Sequence, residues 1–388
     1  MKLLEVTSTS HQKEFYEMAV RLYKNEENWI RPLDQDIENL FHPETNKLFR
    51  HKAKAIRWLL KNEQDQTIGR IAAFTNPKWK EKQPTGGMGF FECINDQKAA
   101  FLLFDTAREW LAAQGMEAMD GPVNFGERDK WWGLLVEGFS PPNYNMAWNF
   151  PYYREFFEAY GFQLYFKQFT YMRPVKGLGF EDKFHERADI TLNHPDYSYR
   201  YLKTKELDKK APEYFVTVYN NAWARHMGKK MNLKEAQIMF SKMKPVIDKR
   251  LIYFGFYKGE PISFFISIPE LNQLFKYVNG KMDLWGKAKF LYHKIFNPPN
   301  KMLGIVFGVV PAHQGKGVES AMVKRYNEMS SSSSFHYETI EMNWIGDFNP
   351  KMMRVCEQIY ATIYKTHHTY RYLFDREKPF ERHPIFLK

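Results

Sequence analysis

The chain has 388 residues, enough for two domains of ordinary size. Its 44% hydrophobic and 17% aromatic content excludes a disordered polymer and predicts aromatic-rich cores. Lys and Arg outnumber Asp and Glu 56 to 45, a net charge of +11 that suits a polyanionic partner: a nucleotide cofactor, a nucleic acid or an anionic membrane surface. Two distant cysteines, Cys93 and Cys356, give neither a disulfide framework nor a metal-ligand spacing, so no metal site is expected. The early charges Lys13 and Glu14 leave no room for a secretory signal, and no apolar run reaches the roughly 18 residues of a membrane helix. A cytoplasmic protein with no membrane partner is the expectation.

In chain order, Ile56 to Lys61 and Ile68 to Phe74 read as strands around the polar turn Glu63 to Gln66. A third strand, Met88 to Glu92, runs into a turn without glycine, where Asn95 and Asp96 cap a helix. Side chains and the charge of Asp96 fill that turn, which excludes a pyrophosphate. Between Trp131 and Tyr153 lie eight aromatic residues around Pro141-Pro142. Trp131, Trp132, Tyr152 and Tyr153 are candidate substrate contacts through stacking and cation–π attraction; the alternative is a core between lobes. The segment Arg173 to Pro195 has no clear period, so the predicted units are 1–175 and 196–388, joined by a connection at 176–195.

The second half repeats the first in pattern: a helical region, two strands, a third apolar strand, a helix, a strand, a helix and a closing hairpin. Leu251 to Tyr257 and Ile262 to Ile268 flank the turn Lys258-Gly259-Glu260-Pro261. Tyr165, Thr170 and Tyr171 recur at one offset as Tyr364, Thr369 and Tyr370, which points to a duplicated α/β unit. Met302 to Val310 is an apolar run stopped by Pro311, as a buried strand would be. Gln314-Gly315-Lys316-Gly317 follows and leads into a helical pattern from Val318, so strand, glycine turn and helix start create a nest of unpaired N–H groups suited to phosphate oxygens. A P-loop is excluded because Gly317 replaces the required Ser or Thr, and a dinucleotide fingerprint because its third glycine is missing.

The run Val309-x-Pro311-x-x-Gln314-Gly315-Lys316-Gly317-Val318 resembles the GCN5-related N-acetyltransferases (GNAT proteins). A wider resemblance to tandem acetyltransferase-like bacterial proteins runs through Gly69 to Ala73, Gly121 to Phe125, Gly133 to Phe139 and Pro269 to Gln273. It implies two tandem lobes, each a mixed, splayed central sheet flanked by helices, and acetyl-CoA or another acyl-CoA as cofactor. By position, Gln314, Gly315, Lys316, Gly317, Val318 and Glu319 would cradle the coenzyme pyrophosphate, and Val309 and Val310 would meet the pantetheine arm. Asn349, which reads as a helix cap before Pro350, would also touch the coenzyme.

Three positions depart from that family: Glu319 replaces a small residue, Cys356 a tyrosine acid, and Tyr360 a glycine. The expected function is an acyl-CoA-dependent N-acyltransferase acting on a small-molecule or peptide amine, with Glu341 as base and Tyr364 as acid. The alternatives are a non-catalytic binder of acyl-CoA or another small ligand, and a tRNA-dependent aminoacyl transferase. Nucleic acid ranks below a small amine, because basic groups such as Lys203, Lys205, Lys209 and Lys210 are typical of solvated helix faces.

Overall fold

The computed structural model describes residues 1–79, 82–126, 130–222 and 230–386. The first half comprises β1 (Lys2–Glu5), α1 (Thr9–Leu22), α2 (Asp34–Phe41), β2 (Lys54–Lys61), β3 (Thr67–Thr75), β4 (Thr85–Cys93), α3 (Gln97–Ala113), β5 (Ala118–Gly121), β6 (Leu134–Glu137), α4 (Tyr153–Tyr160) and β7 (Gln163–Pro174). The second comprises α5 (Asp182–Leu192), β8 (Tyr197–Tyr201), α6 (Thr204–Ala222), α7 (Leu233–Met243), β9 (Ile252–Tyr257), β10 (Glu260–Pro269), α8 (Leu284–Phe296), β11 (Lys301–Val309), α9 (Val318–Ser330), β12 (Thr339–Gly346), α10 (Pro350–Gln358) and β13 (Thr362–Leu373).

All of these strands join one sheet in the order β1-β2-β3-β4-β5-β13-β7-β12-β11-β10-β9-β8, with β6 against β13. The order is a palindrome of the repeat, β1 to β5 on one side answering β8 to β12 on the other. β7 and β13 are both twelve residues long, offset by 199 in sequence, and pair antiparallel with each other at the centre. The duplication read from Tyr165, Thr170 and Tyr171 is therefore two equivalent strands lying side by side.

Each half gives its last strand to the other. β13 pairs with β5 of the first half, and β7 pairs with β12 of the second. The closing hairpin expected in each half is absent, because a single long strand closes each and its neighbour comes from elsewhere in the chain. The expected connection at 176–195 is also more than a linker. It contains α5, which buries Phe184 and Ala188, and Asp189 holds Lys324 of α9 at 2.8 Å.

Each lobe packs helices on its sheet through aromatic rings. α3 starts at Asp96, whose carboxylate accepts the Lys98 and Ala99 N–H groups, and buries Ala99, Ala100, Leu103, Phe104, Ala107 and Leu111 at helical spacing. The small residues bring it close: a Cβ on Gly69 would come within 2.8 Å of Leu103. Phe91 then stacks on Phe104 at 4.7 Å, while in the second lobe Phe215 of α6 stacks on Phe264 at 5.1 Å.

Candidate functional site

Each half contains one parallel strand pair that starts together and then separates. In the first, β4 and β5 pair only at Thr85 to Gly87 with Ala118 to Asp120; in the second, β11 and β12 pair only at Lys301 to Gly304 with Thr339 to Met342. The first opening is filled by the chain itself. Val123 N–H donates to the Met88 carbonyl at 2.8 Å, and a Cβ on Gly89 would overlap the Val123 carbonyl. The second stays open, and Ile305 in the middle of β11 is 42% exposed.

The glycine turn lies at the end of that open strand. Gly315 and Gly317 have φ of 72° and 91°, values that favour glycine, and Gly317 is the N-cap of α9. His313 steadies the turn by packing on Tyr257 and sharing a 2.9 Å hydrogen bond with the Tyr197 hydroxyl. Gln314 donates its side-chain amide to the Val309 carbonyl at 2.8 Å. Val310 N–H is taken by the Ile262 carbonyl at 2.9 Å, so of the two valines expected to offer donors, Val310 has spent its N–H inside the sheet.

Glu319 stands in the first turn of α9, its pKa raised by burial against the opposing pull of the Gly315 and Glu319 N–H groups and of Arg187 of α5, so a carboxyl group borders the glycine turn. Lys316 stays exposed beside it, and Val318 is fully buried beneath it.

Asn349 caps α10 by accepting the Met352 N–H at 3.3 Å, with Pro350 in the first turn. Cys356 is fully buried and its thiol is pushed up to about 12 by desolvation, which keeps it protonated and makes it a weaker acid than the tyrosine it replaces. Tyr360, where the family uses glycine, has φ of 55° and meets that same backbone need with a side chain. Tyr364 is half-buried at a bulge of β13, with the Lys365 ammonium 4.4 Å from its ring centre.

Glu341 is not placed as a base. It is fully buried and holds Lys365 at 2.8 and 3.0 Å, Lys301 at 2.6 Å and the Thr170 hydroxyl at 2.8 Å. Burial would raise its pKa, but Lys365 and Lys301 outweigh it and hold the carboxylate below the usual range. Its partners come from β13, β11 and β7, so one carboxylate ties four strands of both halves. The first half has a counterpart. Asp120 stands on the same rung, opposite Gly87 of β4 as Glu341 stands opposite Leu303 of β11, and grips Arg371 at 2.6 and 2.9 Å. A buried acid answered by a base on both sides of the repeat is a clamp between exchanged strands.

Sequence reading missed Lys301, Lys365 and Asp120 in this role. It also missed His367, which is buried with Nε2 3.3 Å from the Ala147 carbonyl. Desolvation lowers His367 to about 4. The folded chain thus refuses a proton that the unfolded chain accepts near pH 6.5, so stability must fall as pH drops from 6.5 towards 4. Urea midpoints are expected to lose about 2 kcal/mol between pH 7 and pH 5 through this group, and His367→Gln should flatten that part of the dependence.

A cavity of about 80 Å³ lies in the first lobe and is lined by Trp29, Phe90, Glu92, Trp131, Trp148 and Tyr153 among others. At its floor Glu92 accepts the Tyr23 and Tyr153 hydroxyls and lies 3.5 Å from Arg70. Of the four candidate substrate residues, Trp131 and Tyr153 reach it. Trp132 does not: it is 4% exposed and packs on Trp79 at 5.8 Å in a core with Phe74, Phe166 and Phe348. Tyr152 stacks on Phe150 at 5.1 Å and donates its hydroxyl to the Cys93 carbonyl. The aromatic segment is thus part cavity, part core. A smaller cavity beside it brings Trp131 and Tyr144 of the first half against Asn272 and Phe275 of the second.

No family model matches the chain. A bacterial ceramide synthase of Caulobacter vibrioides is 25% identical over 394 residues, covering 95% of this chain and 97% of that protein. Among solved structures, a tandem GNAT protein from the clavulanic acid biosynthesis pathway superposes with a TM-score of 0.53 at 9% identity, covering 97% of this chain and 99% of that one. The GCN5-related glucosamine N-acetyltransferase region of a fungal multidomain β-N-acetylglucosaminidase gives 0.56 at 11% identity, covering 96% of this chain but 38% of that one. With two equivalent half-sheets, a splayed parallel pair in each and a glycine turn at the head of α9, this chain is a tandem protein of the GCN5-related N-acetyltransferase fold.

Proposed function

We propose that the chain is an acyl-CoA-dependent N-acyltransferase whose acceptor is a long-chain amine. The observation that carries this reading is the open splay of β11 and β12 ending in a glycine turn at the head of α9. The likeness over nearly full length to a bacterial ceramide synthase supports an acceptor of the amino-alcohol lipid class. The aromatic lining of the first-lobe cavity suits an apolar chain.

In this reading Gly315, Lys316 and Gly317 hold the coenzyme phosphates, Val309 and Asn349 border its arm, and the thioester supplies an activated acyl carbonyl. The amine must be neutral to attack; the new C–N bond forms as the C–S bond breaks, and the amine proton leaves for water. Tyr364, half-buried on β13 and separated from β12 by β7, is the proposed proton donor to the thiolate. Glu341 is left out of the proton path because its two lysine partners keep it ionised and engaged.

Thiol release tests the proposal, with acetyl-CoA and palmitoyl-CoA each offered a long-chain amino alcohol or a short amine. Release that requires both an acyl-CoA and the long-chain amine is the expected result. The internal Glu319 and the buried Cys356 favour a second reading, a non-catalytic acyl-CoA binder, which predicts saturable binding with no release. Glu319→Ala should tighten coenzyme A binding about fivefold, on the order of 1 kcal/mol, because the phosphate no longer meets the carboxyl group of Glu319. Weaker binding in calorimetry would make Glu319 a residue that orders the turn for its ligand.

A further inference from the structure

Helix α8 buries only Gly286 of its thirteen residues. Its inner side is fixed by Phe290 on Phe275, with ring centres 5.6 Å apart, and by His293 stacked on Tyr277 at 3.5 Å. At about 100° per residue, Leu284, Trp285, Leu291, Tyr292, Ile295 and Phe296 all fall on the opposite arc, roughly 140° wide. Leu284 and Trp285 are 85% and 79% exposed, and the six together make up over a third of the seventeen large apolar side chains exposed among the described residues. Apolar residues scattered singly need no explanation; a continuous stripe on one short helix does.

Charge identifies what covers it. From Leu284 to Val318 the sequence has no Asp or Glu, while Lys287, Lys289 and Lys294 border the stripe and are exposed. Two copies meeting through this face would bring their lysines together, whereas an anionic lipid surface answers the lysines and takes up the apolar arc. Trp and Tyr on the apolar face with lysines at its margins is the composition of a helix lying in the headgroup region. We infer that α8 docks the protein on an anionic lipid surface. Phe275, against which α8 packs, also lines the small cavity between the halves with Tyr144, so the docked helix places that cavity near the lipid. Delivery of a long-chain amine by this route rests on the acyltransfer reading; docking itself does not. The expectation of no membrane partner is thereby revised for the surface only, since no described helix is long and apolar enough to cross a membrane.

The full chain is tested by sedimentation with phosphatidylcholine vesicles, with and without roughly one third phosphatidylglycerol. Binding is expected to the mixed vesicles, to weaken with added salt and to shift tryptophan emission to the blue. Trp285→Ser with Phe296→Ser should lower partitioning at least about tenfold, and Lys287→Glu with Lys289→Glu should remove the preference for phosphatidylglycerol. Both pairs are exposed, so melting temperatures should match the parent. Equal partitioning of the apolar variant, no binding to either vesicle, or a dimer that this variant abolishes would each overturn the inference. Vesicle binding without acyl transfer would sink only the enzymatic reading, and turnover of the long-chain amine without vesicle binding would sink only the docking.

Discussion

Expressed alone, residues 1–175 are expected to remain unfolded, whereas the same segment co-expressed with residues 176–388 should form a one-to-one complex with the parent's circular dichroism. In the fragment β7 loses β13 on one side and β12 on the other, and β5 loses β13 as well. Three strand ladders and the buried Asp120–Arg371 pair disappear together, which exceeds the marginal stability of about 5 to 15 kcal/mol that a domain has to spare. Size exclusion and urea titration of the fragment decide the matter. A cooperative transition in the isolated first half would show that its sheet closes without the exchanged strand.

The second large effect is expected at Glu341. Glu341→Ala leaves Lys365, 1% exposed, beside Lys301 without its hydrogen-bonded carboxylate, and breaking a buried pair in this way costs about 3 to 5 kcal/mol. Replacing both partners, as in Glu341→Leu with Lys365→Met, should recover much of that loss, because the desolvation of the orphaned charge is removed along with it. A catalytic base behaves differently. If Glu341→Gln melts with the parent while its turnover collapses, Glu341 belongs to the chemistry and the clamp is secondary.

Much of the fold was legible because its strands are apolar runs bounded by turns, and Met302 to Val310 corresponds closely to β11. The exchange was not legible. The alternation along Gln163 to Pro174 states which residues face inwards and nothing about which strand lies alongside, so a local hairpin was the natural reading. Trp132 shows the same limit: its chemistry suits a pocket or a core, and only the packing against Trp79 and Phe166 separates them. Glu319 was visible as a departure in a phosphate turn, but its burial beside the Gly315 N–H and Arg187 was not. Lys365 left a fainter signal, a lysine in a strand otherwise rich in Tyr and His, and its meaning depended on an acid 24 positions away.

The exchanged strands also set a timetable for synthesis. At about 5 to 20 residues per second, β5 emerges from the ribosome long before β13, which is encoded in the last thirty residues. Throughout that interval the first half's strand segments and aromatic side chains stay unpaired and uncovered, a state that invites pairing with another chain. The nascent protein therefore depends on being shielded until β13 has been made, and slow translation of the second half would lengthen the exposure. Stop codons or frameshifts that remove β13 should be as damaging as those that remove β5, since the later strand is the keystone of the half that was made first.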